Sequence, residues 1–105
     1  MSYINIDEFV EHIGEYNFAY DPEKAAKLKL ERGIDFDQVV ALISGHEFIA
    51  IRQHHNPDRY HRQFVCEVEI NDYVYLVPLV VRGKEVFLKT FYPSRKATNK
   101  RGKRG

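Results

Sequence analysis

A segment of eleven residues in the middle of the chain carries side chains suited to chemistry on phosphate esters. Residues 52–62 contain three arginines, three histidines and one tyrosine. Arginine matches phosphate oxygens with a fork of N–H donors, and histidine exchanges its proton near neutral pH. Metal-free RNA cleavage needs a base for the 2′-hydroxyl proton, cations around the phosphorane and an acid for the leaving 5′-oxygen. The segment therefore has the residue types of a ribonuclease site. The alternative is a polar hairpin loop with no ligand.

Roles within this segment follow from the side-chain types. Arg52, Arg59 and Arg62 are expected to bind RNA through its phosphates. Tyr60 or His61 is expected to transfer protons as a catalytic residue, and the Tyr60 ring also suits stacking on a base. His61 is preferred to the other two histidines because it borders a predicted strand, where the backbone is better ordered. No spacing in the segment matches a structural zinc site, so we expect no metal and no cofactor.

A second basic set lies in and after the last predicted strand. Its lysine shares that strand with aromatic residues, which places it either at an edge or in a cleft. The arginine and lysine that follow are next to a tyrosine, a combination typical of an RNA surface. Lys89 and Arg95 are also candidates for stabilising the charge on the reacting phosphate. The alternative is a solvated surface with no ligand. The set comprises Lys89, Tyr92, Arg95 and Lys96.

Opposite charges are segregated along the chain, although its net charge is only +1. Residues 82–105 contain nine basic residues and one acidic residue, a net charge of +8. Residues 1–81 contain seven basic and fourteen acidic residues, a net charge of −7. A basic end on an acidic body is typical of proteins that bind nucleic acid or an acidic partner.

Length and composition favour one small globular domain. The chain has 105 residues, of which 44% are hydrophobic and 13% aromatic. The lone Cys66 excludes an internal disulfide, and its alternation with apolar residues predicts a core position. There is no apolar run long enough to span a bilayer and no secretory leader, so we expect a cytoplasmic protein with no membrane partner. Residues 1–98 are predicted to form the domain, and 99–105 a flexible basic tail.

Apolar spacing predicts three helices in the first half of the chain. The first covers residues 5–14 and the second 22–32, and the third is opened by Asp35 and stopped by Ser44-Gly45. The second has Asp21 as its N-cap and Gly33 as its stop, and a short extended segment precedes it. The third has Asp35 and Gln38 at the positions of a capping box.

Period-two patterns predict about four strands in the second half. They cover residues 47–53, 63–70, 73–81 and 85–92, and residues 71–72 form a two-residue hairpin turn. Pro78 predicts an edge or bulge position for the third strand, because proline has no N–H to donate. The pattern therefore predicts an α+β fold, with N-terminal helices on one face of an antiparallel β-meander.

Two motifs in this order resemble those of the BrnT-type toxins. The first runs from Phe18 to Ala26 (FAYDPEKAA) and continues, after a helix, as Glu31–Phe36 (ERGIDF). The second is Pro93–Ala97 (PSRKA), which follows the last strand. Within them, the residues that match the structural signature are Asp21, Lys24, Gly33 and Phe36, and those that match the basic ending are Arg95 and Lys96. The resemblance covers about residues 18–98. The segment 54–62 (HHNPDRYHR), the strand that contains Pro78 and the N-terminal helix over 5–14 depart from it.

This resemblance implies a fold akin to the RelE/ParE toxin superfamily, in a divergent member. It implies a ribonuclease toxin of a type II toxin–antitoxin pair, acting on RNA that is free or ribosome-associated. Its implied partner is a DNA-binding antitoxin of ribbon-helix-helix or helix-turn-helix type. Two alternatives stay open: a binding module of the same fold that acts on nucleic acid or protein without chemistry, and a housekeeping domain unrelated to toxins.

Overall fold

The computed structural model describes residues 4–101 as four α-helices, one 3-10 turn and a six-stranded sheet. Helix α1 (Ile6–Glu11) and the 3-10 turn Ile13–Glu15 replace the single predicted helix over 5–14. The remaining elements are, in chain order, β1 (Asn17–Tyr20), α2 (Pro22–Arg32), α3 (Phe36–Ser44), β2 (Ala50–Gln53), β3 (Gln63–Ile70), β4 (Tyr73–Arg82), β5 (Glu85–Leu88), β6 (Tyr92–Pro93) and α4 (Arg95–Arg101).

Local signals explain where the first two helices begin and where α2 ends. The Asn5 side chain accepts a hydrogen bond from the Glu8 N–H at 3.1 Å, and Asp21 accepts one from the Glu23 N–H at 3.0 Å. Each bond satisfies a donor that the first turn of a helix leaves without a partner. Gly33 ends α2 in the left-handed conformation, with φ of 71°. The predicted cap and stop of α2 are confirmed.

The predicted capping box of α3 is wrong. Asp35 stands at the N-cap position, but its side chain makes no cap hydrogen bond. Its carboxylate lies 3.3 Å from the Lys29 ammonium group in the last turn of α2. The side chain is therefore turned toward a full positive charge instead of the backbone of its own helix.

The sheet is mixed, whereas the sequence predicted an antiparallel meander of about four strands. Its order is β1-β5-β4-β3-β2, with β6 paired to β4. All pairs are antiparallel except β1 with β5, where Asn17 pairs with Glu85 and Tyr20 with Leu88 in parallel. This pairing joins segments separated by most of the chain, so local patterns could not reveal it. The broader α+β prediction is confirmed.

Two long central strands, β3 and β4, form the middle of the sheet. The turn between them is the predicted hairpin: Asn71 and Asp72 both have positive φ, 55° and 65°. Two-residue hairpins favour this conformation because its twist matches that of the flanking strands. The predicted strand over 47–53 is shorter than expected and begins at Ala50.

Pro78 lies in a central strand, so the edge alternative predicted for it is wrong. The last predicted strand, 85–92, is interrupted instead. Leu79 pairs with Leu88, and Leu76 pairs with Tyr92. Residues 77–78 of β4 thus lie opposite the three residues 89–91. One extra residue on one strand is the definition of a β-bulge. The Lys89 N–H donates to the Pro78 carbonyl at 3.1 Å, so the position without an N–H faces the bulge.

The core lies between one face of the sheet, called here the inner face, and the first three helices. Phe9 of α1 packs on Phe64 of β3 with ring centroids 5.0 Å apart, and Phe36 of α3 packs edge-on against Phe91 at 5.1 Å. Leu28 of α2 belongs to the same cluster. The predicted packing of the N-terminal helices on one face is confirmed.

Cys66 is a fully buried residue of this core, as predicted. Burial raises the pKa of its thiol to about 12, because the thiolate would lose its hydration. The side chain therefore serves as a small apolar group and not as a nucleophile.

The opposite, outer face of the sheet is covered at one end by α4. The Val74 N–H donates to the Thr98 hydroxyl at 2.9 Å, and the Ser94 N–H donates to the Val74 carbonyl at 2.9 Å. Helix α4 continues to Arg101, so it crosses the boundary expected at residue 98. The remainder of the expected tail lies outside the described residues. Within residues 4–101, no helix is long and apolar enough to cross a membrane.

Candidate nucleic-acid interface

A groove of about 660 Å³ lies between α4 and the outer face of β2, β3 and β4. Its floor comes from alternate residues of the three strands, and its wall comes from the first two turns of the helix. Three of its side chains are cations and one is a carboxylate. The groove, called here the α4 groove, is lined by Ile49, Ala50, Arg52, Glu67, Leu76, Ser94, Lys96, Ala97 and Lys100.

An ion pair between Arg52 and Glu67 forms part of the groove floor. Glu67 is 8% exposed, and among the described residues it is the single charged one that is buried. The Arg52 side chain remains 60% exposed. A buried carboxylate needs a charged partner to offset its lost hydration, so Glu67 holds the guanidinium group over the groove. The exposed remainder of that group is available for a second anion.

Lys96 and Lys100 stand one turn apart on α4, and both line the groove. Like charges at this spacing destabilise a helix, because the two side chains lie on the same side. Both residues are exposed. An anion in the groove would offset their repulsion and that of the nearby Arg52, so the arrangement favours an anionic ligand.

The 54–62 loop holds a stack of rings. The His54 ring lies 4.3 Å from the His55 ring and 4.4 Å from the Tyr60 ring, measured between centroids. The Arg59 guanidinium group lies 5.5 Å from the Tyr60 centroid, within range of a cation–π contact. The Asn56 N–H points at His54 Nδ1 at 3.0 Å, which leaves the ring proton of neutral His54 on Nε2.

The pKa of His54 is lowered from its ordinary value of 6.5. Burial is the largest cause, followed by repulsion from His55 and from Lys89. The lowered pKa favours the neutral form of His54, whose ring proton then lies on Nε2.

The structure brings only some of the predicted site residues together. Arg52 and Lys96 meet in the α4 groove. Lys89 is exposed and directly follows β5. Its N–H donates to the Pro78 carbonyl, and Pro78 pairs with Val65 of β3. Val65 in turn is opposite Arg52, so Lys89 and Arg52 lie in one row across the outer face.

The other predicted residues lie toward the two ends of the outer face. At one end, Arg59 and Arg62 are exposed, Tyr60 and His61 are half-buried, and the Nε2 atom of His61 is buried. At the α4 end, Arg95 is exposed and Tyr92 is 40% exposed. The two ends contact β4 near Val80 and Val74, which places them about 20 Å apart along the strand. One phosphate therefore cannot contact both Arg95 and the Tyr60–His61 pair.

Sequence reasoning missed Glu67 and Lys100 as groove residues. Glu67 alternates with Val65 and Glu69, a pattern typical of a solvated face, whereas in the structure it is buried and paired with Arg52. Lys100 was assigned to a tail. The signal was present, because Lys96 and Lys100 have the i,i+4 spacing of one helix face.

Metal ligands do not cluster in the part of the chain that the structure describes. There, no three His, Cys, Asp or Glu side chains are grouped so that they could hold a metal ion. Cys66 faces the core, on the opposite side of the sheet from the outer face, so it cannot join the loop histidines.

Comparison with family models, with curated proteins and with solved structures finds no match for this chain.

Proposed function

We propose that this chain is the toxin of a type II toxin–antitoxin pair and that it cleaves RNA without a metal ion. The observation that carries the proposal is the α4 groove, where Arg52, Lys96 and Lys100 surround one open space. A phosphodiester strand is a ligand that suits several cations spaced along a groove. The proposal includes the RelE/ParE-like fold and a cytoplasmic site of action.

The two toxin-like motifs support the proposal because their residues occupy defined positions in the fold. Asp21 caps α2, Gly33 ends it in the left-handed conformation, and Phe36 begins α3 as a core residue. Arg95 and Lys96 form the start of α4, directly after the last strand. The first motif thus builds the helical layer, and the second supplies a wall of the groove.

The reaction that we propose takes place between the groove and the 54–62 loop. Arg52 neutralises charge on the phosphorane while Lys96 and Lys100 hold the neighbouring phosphates. The 2′-hydroxyl gives its proton to a water molecule as its oxygen attacks phosphorus, the bond from phosphorus to the 5′-oxygen breaks, and the 5′-oxygen takes a proton from Tyr60. Tyr60 becomes the preferred proton-transfer residue over His61, because the Nε2 atom of His61 is buried.

The test measures RNA cleavage in EDTA beside RNA binding for matched variants. Lys96→Ala and Lys100→Ala should each weaken binding, and each should make the salt slope of log K less steep by about 0.7. Lys27→Ala, on the exposed side of α2, makes the same chemical change away from the groove. It should leave the RNA affinity and the salt slope unchanged. Tyr60→Phe should slow cleavage by about 10²- to 10⁴-fold and spare binding. Loss of cleavage in EDTA would contradict the metal-free mechanism.

A toxin also needs a partner that neutralises it. Expression of the chain alone should arrest growth, and a cognate antitoxin should cover the cations that include Lys89, Arg95 and Lys96. Lys96→Glu should therefore weaken the complex. Unimpaired growth at high expression of folded protein would contradict the toxin proposal.

A second candidate is a binding module that does no chemistry. The separation of Arg95 from Tyr60 and His61 by about 20 Å favours it, because the predicted catalytic set is not assembled at one point. RNA binding in the absence of any cleavage would support this candidate.

A further inference from the structure

The outer face of the sheet carries an apolar strip that the described chain leaves partly exposed. Val65, Pro78, Val80 and Phe87, called here the outer strip, alternate along their strands with buried core residues. All four are half-buried, and none belongs to the core cluster or packs against it. An antiparallel sheet with one solvated face normally presents polar residues there. An apolar row in that place indicates a surface that a ligand covers.

The outer strip is continuous with the α4 groove. Leu76 of β4 lines the groove, and Pro78 and Val80 follow it on the same face at every second residue. Val65 pairs with Pro78, and Phe87 pairs with Val80. The strip therefore runs from the groove toward the 54–62 loop, with the Phe87 ring in its far half.

Cations flank this strip at both ends. Arg52 and the two lysines of α4 stand at the groove end, and Lys89 lies in the row of Pro78. At the loop end, Arg62 is exposed and its carbonyl accepts from the Val81 N–H at 2.9 Å. The surface thus combines an apolar centre with positive charge along its length.

We propose that the outer strip binds the unstacked bases of single-stranded RNA, with one base on Phe87, while the flanking cations bind its phosphates. The inference rests on the proposed function and assigns its substrate class. Base stacking on an aromatic ring together with a basic path for the backbone is how single strands are bound. A duplex hides its base faces, so it presents nothing that the strip can cover.

Binding is tested with a mixed-sequence 12-nucleotide RNA carrying 2′-O-methyl groups, which prevent cleavage. The other probes are its duplex and an abasic strand of equal length. The single strand should bind about 5- to 150-fold more tightly than the abasic strand, the range expected for one stacked base. Equal affinities for the single strand and the abasic strand would overturn the proposal and point to a protein partner for the strip.

Phe87 variants separate stacking from apolar bulk. Phe87→Leu should lower single-strand affinity by about 5- to 150-fold with an unchanged salt slope, whereas Phe87→Tyr should retain the affinity. Thermal unfolding of both variants checks that they fold. If the Leu variant folds and binds like the original, the proposal is wrong. If the Leu variant also cleaves RNA, the proposed function stands without the base-binding strip. If the original chain binds no RNA at all, the proposed function and the base-binding strip are both wrong.

Discussion

At the scale of single residues, the ion pair of Arg52 and Glu67 links the fold to the site. Glu67 is buried on the floor of the α4 groove, and its charge holds the guanidinium group in place. Removing one member of such a pair costs more than removing both, because the remaining charge stays buried without compensation. Arg52 is therefore constrained by folding as well as by any ligand.

Two histidines should give opposite pH dependences of stability. The pKa of His12 is raised above 6.5, chiefly by its hydrogen bond with Glu15, and the pKa of His54 is lowered, chiefly by burial. His12 stabilises the fold below pH 6.5, and this contribution is lost as pH rises through its folded pKa. For His54, the unfolded chain takes up the proton first as pH falls, so stability decreases below pH 6.5.

Urea unfolding at pH 8 and pH 5.5 measures these effects. On going to pH 5.5, His12→Gln should lose stability relative to the original chain, and His54→Gln should gain it. Shifts of the same sign in both variants would contradict the assigned environments.

At the scale of elements, the two helix starts with aspartate should respond differently to mutation. Asp21→Ala removes a side-chain cap bond and should lower the free energy of unfolding by about 1 kcal/mol. Asp35→Ala removes only an ion pair with Lys29 that is largely exposed, so its cost should be about 0.2–1 kcal/mol and should shrink in salt. Chemical denaturation with and without 0.5 M NaCl compares them, and a larger loss at Asp35 would contradict the geometry.

Elements were predictable from the sequence where their cause is local. The cap at Asp21, the left-handed Gly33 and the hairpin at Asn71–Asp72 each depend on a few adjacent residues, and each was found where expected. The parallel pairing of β1 with β5 and the burial of Glu67 depend on contacts between segments that are not adjacent in the chain. No periodicity records such contacts, so the place of Glu67 on the floor of the α4 groove could not be foreseen.

At the scale of the whole molecule, the segregated charges should cause reversible self-association. Residues 1–81 and 82–105 carry −7 and +8, and the net charge of +1 gives little overall repulsion. We expect light scattering to show oligomers in 20 mM NaCl and monomers in 300 mM NaCl, because salt screens attraction between exposed charges. An unchanged particle size across this range would contradict the expectation.

The bulge opposite Pro78 has a consequence for how the sequence can evolve. Before the bulge, the even-numbered Val86 and Leu88 face the core; after it, the odd-numbered Phe91 does. The extra residue lets Phe87 and Lys89 remain outside while Phe91 returns to the interior. Packing therefore constrains Val86, Leu88 and Phe91 and leaves Phe87 and Lys89 of the same short segment open to change. Restoring an N–H at position 78 would favour continuous pairing, which would turn Phe91 to the outer face together with Phe87 and Lys89.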